Sequence, residues 1–193
     1  MAIEDRRQRE RLARRRLITA TARSLAESEG WDAVTTRRLS TAIEYSQPVL
    51  YKHFGSMEDI VEAVALEGFA ELATAMRAAR HGDDPLAGVA AAYSGFAAGN
   101  PALFDAMFVR STRLRFGGTE DTPAPLIEAF TELREAVAAI AAGRDVATLT
   151  EVVWAALHGL VMLGRAGRLR PDHDTERLEL LVAQFRPAGT GRP

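Results

Sequence analysis

Apolar residues recur at helical spacing along most of the chain. Ile18, Ala22 and Leu25 stand at i, i+4 and i+7, with Arg14, Arg15, Arg16 and Arg23 mostly off that stripe, which predicts an amphipathic first helix. Gly30 ends it, because glycine takes the left-handed conformation of a helix terminus at little cost. Trp31 and Val34 then offer apolar contacts, and Thr35 or Thr36 caps a short second helix carrying Leu39, Ala42 and Ile43. Ser46 is the next capping residue, with Pro48 in the first turn after it, where a missing N–H costs nothing. The third helix so opened turns Leu50 and Phe54 inward, leaves Gln47, Val49, Tyr51, Lys52 and His53 partly outside, and ends at Gly55. Ser56 with Asp59 makes a start resembling a capping box for a fourth helix, whose apolar line runs through Ile60, Val64, Leu72 and Met76.

Beyond the break at residues 81–85, helical patterns continue over about 85–98, 101–113, 123–142, 145–166 and 172–185. No alternating stretch of strand length is found. Residues 116–122, with Gly117 and Gly118, read as a flexible loop, and 187–193 as a disordered tail. The predicted fold is all-α with about nine helices: an N-terminal three-helix helix-turn-helix domain over 1–55, then a helical bundle for ligand binding and dimerisation over 56–186.

Composition narrows the chemistry. Cysteine is absent, which removes disulfides, thiolate metal sites and cysteine nucleophiles. The N-terminus carries no apolar leader, and the oily run from Val152 to Leu163 holds His158 and is too short to span a bilayer, so a cytoplasmic location without membrane contact is expected. The net charge of −2 is unevenly spread: residues 1–53 hold 11 Lys and Arg against 7 Asp and Glu, the remainder 13 against 19. The basic part coincides with the two short helices, which fits a nucleic-acid partner there. Arg6, Arg7, Arg9, Arg11, Arg14, Arg15 and Arg16 form either a solvated helix end or extra phosphate or minor-groove contacts.

Two short helices joined by a tight turn, the second exposing polar groups from its first turn, constitute a helix-turn-helix pattern. Packing accounts for Leu39, Ile43, Leu50 and Phe54, but not for the polar set Thr36, Arg37, Gln47, Tyr51, Lys52 and His53 on the faces left over. Guanidinium and amide groups suit base edges, and hydroxyl, ammonium and imidazole groups suit phosphates. The run TTRRLS at 35–40 and the run SQPVLYKHFGS at 46–56 resemble the DNA-binding signature of the tetracycline-repressor (TetR) family. The resemblance implies that Thr36 and Tyr51 bind phosphate, Arg37 and Gln47 read bases, Pro48 touches a thymine methyl or sugar, and Lys52 and His53 bind backbone; Ser46 completes the DNA-binding set. The chain departs from the pattern at Glu44, where the turn usually has glycine, at Tyr45, where a small aliphatic residue is usual, and at Met57, where a phosphate-binding lysine is frequent.

The segment VWAALHGL at 153–160, followed by AGRL at 166–169, is similar to the Trp-His-Gly class of TetR C-terminal domains. The resemblance implies a four-helix dimer interface from the last two long helices. Ala155 and Gly159, four apart, with Met162, make a smooth face for it. Phe69, Met76, Tyr93, Phe96, Phe104, Phe108, Phe130, Trp154 and His158 are either ordinary core or the lining of an apolar ligand cavity. His158 has no second ligand at metal spacing, and no cofactor or catalytic constellation is found. The expected function is a sequence-specific DNA-binding transcriptional regulator and not an enzyme: a homodimeric repressor on palindromic double-stranded operator DNA, released by a small apolar effector. The alternatives are a helical small-molecule-binding protein or enzyme without DNA binding, and a protein-binding adaptor.

Overall fold

A computed structural model describes residues 2–110, 113–116 and 121–187, with side chains from residue 4 onward. Among the described residues there are nine α-helices and no strand: α1 (Ala2–Glu29), α2 (Thr36–Ala42), α3 (Gln47–His53), α4 (Met57–Arg80), α5 (Pro85–Gly99), α6 (Pro101–Phe108), α7 (Ala124–Ala138), α8 (Val146–Arg165) and α9 (Asp174–Phe185). The all-α fold is as the periodicity predicts. A 3-10 turn over Trp31–Ala33, which the apolar pattern does not announce, links α1 to α2.

The chain forms two compact units. One comprises Met1–Gly68 and Asn100–Pro123, the other Phe69–Gly99 and Ala124–Pro193, so α4 contributes a half to each.

In the first unit α1 packs on α2, α3 and α6. Gly30 ends α1 with a φ of 83°, as expected. Ile18, Ala22 and Ala26 from α1, Trp31, Val34, Leu39, Ile43, Leu50 and Phe54 are buried together with Leu103, Phe104 and Met107 of α6. The Trp31 indole N–H donates to the Ala102 carbonyl at 2.7 Å, so its polar edge is satisfied inside this core. Gly68 matters sterically: a Cβ there would stand 2.7 Å from Met107 Sδ and 2.9 Å from Leu103 Cδ1.

In the second unit α5 is central, packing on α7, α8 and α9. It buries Leu86, Val89, Ala90, Tyr93, Phe96 and Ala97 against Leu133, Val137, Val153, Leu157 and Val182. Glu132 of α7 is buried, and its two carboxylate oxygens accept from Arg77 Nε at 2.7 Å and Arg80 Nε at 2.9 Å. Burial pushes the Glu132 carboxyl up, but the hydrogen bonds and charges of the two arginines outweigh it and hold the group below the usual range.

Several boundaries differ from expectation for local reasons. α6 stops at Phe108, not 113, because the N–H groups of Val109 and Arg110 both turn back to the Asp105 carbonyl. α7 stops at Ala138, and Ala142 and Gly143 then take φ of 48° and 84°. α9 starts at Asp174 because Asp172 has a φ of 61°. Ser46 occupies the N-cap position of α3 but makes no side-chain capping bond; the Thr35 and Ser56 hydroxyls do cap, accepting from Arg38 N and Asp59 N. The oily run at 152–163 is part of a 20-residue helix, α8, which is long and apolar enough by length and composition to cross a membrane. Of the expected loop at 116–122 and tail at 187–193, residues 117–120 and 188–193 lie outside the described residues.

Candidate nucleic-acid interface

The turn between α2 and α3 is built from backbone. Ile43 N–H donates to the Leu39 carbonyl at 3.0 Å and Tyr45 N–H to the Ser40 carbonyl at 3.0 Å, with Glu44 between them at a φ of 58°. That is the left-handed conformation, which a residue with a Cβ adopts at a cost on the order of 1 kcal/mol. Leu39, Ile43, Leu50 and Phe54 are buried beneath the turn, which fixes the face that α3 shows to solvent.

That face carries the residues singled out by sequence. Arg37, Ser46, Gln47, Pro48, Tyr51 and Lys52 are exposed, while Thr36 and His53 are half-buried. The Thr36 hydroxyl lies 3.3 Å from the Tyr51 hydroxyl, so the start of α2 and the middle of α3 present two adjacent hydroxyl groups. Tyr51 is 51% exposed. Its phenol offers both an apolar body and a polar tip. Arg38, by contrast, is engaged: its guanidinium donates to both Glu29 oxygens at 2.7 and 2.6 Å, and the contact holds the Glu29 carboxyl below its usual range.

His53 closes α3. Burial lowers its pKa first, and the positive charges of Arg14, Arg11, Arg15 and Lys52 lower it further, so the imidazole is neutral at neutral pH. Its Nδ1 is buried without a hydrogen-bond partner among the described residues. The His53 carbonyl accepts from Arg15 Nη1, and the Arg15 guanidinium lies over the Phe54 ring at 4.0 Å. A cation at a helix C-terminus is favoured by the helix dipole, and here it doubles as a cation–π contact. Sequence reasoning did not single out Arg15 from its neighbours. The only signal was its spacing of three residues before Ile18, on the edge of the buried stripe.

The residues proposed for an effector fall in different places. Phe69, Met76, Tyr93, Phe96, Phe130, Trp154 and His158 belong to the second unit, whereas Phe104 and Phe108 belong to the first, where their rings pack at 4.7 Å. Phe69, Met76, Tyr93, Phe96 and Phe104 are buried, Phe108, Trp154 and His158 half-buried, and Phe130 exposed. Tyr93 and His158 meet directly, the phenol oxygen 2.8 Å from Nδ1, with the Trp154 ring 5.9 Å from the imidazole. Burial pushes the Tyr93 hydroxyl well up, so it stays protonated, and burial likewise pushes His158 down. A cleft of about 560 Å³ in the first unit is lined by Trp31, Met57, Arg110 and Arg113 among others, and one of about 100 Å³ in the second by residues of α5, α8 and α9. None of the nine residues lines either cleft.

On α8, Leu149, Val153, Leu157 and Val161 face the bundle. Val152, Ala155, Gly159, Met162 and Leu163, at i, i+3, i+7, i+10 and i+11, form a second apolar line, exposed or half-exposed. A Cβ added to Gly159 would meet nothing within 4 Å.

Comparison with known proteins places this architecture. Residues 18–64 match the family described as bacterial regulatory proteins, tetR family, and residues 86–185 match the tetracyclin repressor-like C-terminal domain. An uncharacterized HTH-type transcriptional regulator of Mycobacterium tuberculosis, Rv0681, is 31% identical over 173 residues, covering 84% of this chain and 74% of the relative. A protein of unknown function from Rhodococcus sp. RHA1 superposes with a TM-score of 0.74 at 23% identity, covering 89% of this chain and 92% of that one. A TetR variant from Acinetobacter baumannii AYE in complex with minocycline does so with a TM-score of 0.62 at 20% identity, covering 87% and 93%. With both of its halves matched in the order that the helix-turn-helix and the bundle occupy here, the chain belongs to the TetR family and is a DNA-binding transcriptional regulator, not an enzyme.

Proposed function

We propose that the protein is a homodimeric repressor of palindromic double-stranded operator DNA, with residues 1–55 as the DNA-binding domain and 56–186 as the ligand-binding and dimerisation domain. In this reading Thr36 and Tyr51 hold phosphate, Arg37 and Gln47 read base edges, Pro48 meets a thymine methyl or sugar, and Ser46, Lys52 and His53 contact the backbone. The observation that carries it is the division of one seven-residue helix: Leu50 is buried while Gln47, Pro48, Tyr51 and Lys52 stand exposed. The exposed side of that helix combines amide, phenol and ammonium groups, the donor types that suit base edges and phosphates.

The second apolar line of α8, through Ala155, Gly159 and Met162, is the dimer surface in this reading. Twofold symmetry then sets two copies of α3 about 34–36 Å apart, one turn of DNA. The effector is a small apolar molecule with a polar group for Tyr93 or His158, bound in the second unit. The minocycline complex of a protein of the same fold supports a small-molecule ligand, without bearing on its polarity. To act, the effector must bind better to the dimer that does not fit DNA than to the one that does.

Gel-shift titration against genomic fragments at two salt concentrations tests the core of this reading. Wild-type protein gives a saturable, sequence-dependent shift that weakens with salt, and the double variant Gln47→Ala/Tyr51→Ala abolishes it while helicity is retained. A double variant that binds normally overturns the assignment of α3.

A further inference from the structure

The cleft of about 560 Å³ in the first unit is lined by none of the residues assigned above to DNA or to the effector. Its volume falls in the range of small-molecule sites, about 300–1,000 Å³. The apolar part of its wall is Trp31, Val34, Met57 and Val61. Trp31, Val34 and Val61 are buried core residues, so the cleft reaches down to the core of the unit. The indole of Trp31 is held by its bond to the Ala102 carbonyl, which fixes the aromatic wall before any ligand arrives. Met57, at a position where the family pattern frequently has lysine, adds a polarizable thioether, and thioethers make favourable contacts with aromatic rings.

The charged part of the wall has a sign. Arg110 and Arg113 enter from the segment after α6. The Arg110 guanidinium lies over the Trp31 ring, 5.7 Å from its centroid, and pairs with Asp32 at 3.7 Å. The Asp32 side chain is wholly exposed, and an ion pair so open to water is weak enough to yield to a better-placed carboxylate. Arg113 is more fully engaged, bonded to Asp59 and 3.6 Å from Glu62, and so bridges from the segment after α6 to the start of α4. Among the residues that line the cleft, Glu58 is the one carboxylate. Hydrogen bonds to its own backbone N–H and to the Ser56 hydroxyl hold it below the usual carboxylate range, so its charge is spent on the first turn of α4. Two guanidinium groups against one committed carboxylate favour an anion over a cation.

We propose that this cleft is a ligand site of its own, which takes a flat aromatic carboxylate: the ring lies against Trp31, Val34, Met57 and Val61, and the Arg110 guanidinium receives the carboxylate in place of Asp32. Guanidinium offers two parallel N–H donors that match the two carboxylate oxygens, and a ring beneath it continues the stacking that Arg110 already makes on Trp31. The site lies within the first unit and depends neither on the reading of α3 nor on an effector in the second unit. Val34 leads into Thr35, the N-cap of α2, and Met57 opens α4, so the ligand touches the approach to both helices.

The test uses full-length protein with its two tryptophan indoles isotopically labelled, titrated with naphthoate, neutral naphthamide, cationic naphthylmethylamine and aliphatic octanoate. Naphthoate is expected to bind saturably and about tenfold more tightly than naphthamide, the worth of one hydrogen bond to a charged group. The Trp31 indole resonance should shift well beyond that of Trp154. Arg110→Gln should remove the preference for the acid over the amide with helicity retained, and Arg110→Lys should keep part of it. Three outcomes in the wild type alone overturn the site: no saturable binding of naphthoate, naphthamide or naphthylmethylamine binding as tightly as naphthoate, or a Trp154 shift that equals or exceeds that of Trp31. Octanoate binding as tightly as naphthoate overturns the aromatic class. A folded Arg110→Gln protein that keeps the preference overturns Arg110 as the receiving group.

Discussion

The carboxylate of Glu27, in the last turn of α1, accepts hydrogen bonds from the backbone N–H groups of Ala102 at 3.1 Å and Leu103 at 2.9 Å, in the first turn of α6. Those N–H groups have no partner inside α6, and Asn100 at its N-cap position makes no side-chain capping bond. Glu27 thus caps a helix 75 residues away and places its negative charge at the positive end of the dipole. With the Trp31 bond to the Ala102 carbonyl, it fastens α6 to α1. Glu27→Ala is expected to cost about 1 kcal/mol, the usual worth of an N-cap, read as a lowered midpoint in urea with an unchanged slope. Glu27→Gln, which keeps one acceptor, should lose about half as much.

Glu44 sits in the helix-turn-helix turn at a φ of 58° with no glycine to make that conformation cheap. Glu44→Gly is expected to raise stability by about 1 kcal/mol and also to tighten operator binding, since a negative charge leaves the DNA-facing unit. Glu44→Gln separates the two effects: it should tighten binding in gel shift with no gain in melting temperature.

Two histidines set a pH response. His53 and His158 are both held below their ordinary pKa of 6.5, chiefly by burial. Above that value both folded and unfolded chains carry them neutral, so they contribute nothing there. As the pH falls below about 6.5 the unfolded chain takes up protons that the folded chain refuses, and stability is lost until the lower folded pKa values are passed. Melting temperature measured from pH 7.5 to 5 should fall for wild type and fall less for His53→Gln/His158→Gln. Glu132 acts in a lower window: its pKa is depressed, so its contribution is present above its unfolded value of 4.5 and is lost as the pH falls through the folded one.

Gly159 offers a test of the proposed dimer that leaves the protomer intact. A Cβ there meets nothing within 4 Å, so a side chain can leave the backbone at Gly159 without a clash at its first carbon. Gly159→Leu is expected to convert the dimer to monomer in sedimentation equilibrium with helicity retained, whereas Gly159→Ala should leave it dimeric and slightly stiffen α8. A dimeric Gly159→Leu variant with wild-type affinity would place the interface elsewhere.

The helices were legible wherever burial is one-sided, as in α1, α3 and α4, because a single apolar stripe and its caps are local properties. Boundaries that depend on backbone turns were less so: nothing in the side chains of 108–113 announces that Val109 and Arg110 bend back to Asp105. The reading face of α3 was also legible, since the burial of Leu50 and Phe54 dictates what is left outside.

What the sequence determined by itself is therefore the all-α class, the helix-turn-helix and the residues that its second short helix exposes, because spacing, capping and charge act over a few residues. What only the tertiary structure decided is long-range: that Glu27 caps α6, that Arg15 rather than a neighbouring arginine holds the end of α3, that Tyr93 meets His158, and that Glu132 is buried between two arginines. Each of these joins residues from 38 to 76 positions apart, and no periodicity within one helix carries information about which distant partner will satisfy a buried charge or an uncapped N–H. The chain's packing makes that choice, because a polar group taken out of water must find its partner wherever the fold brings one.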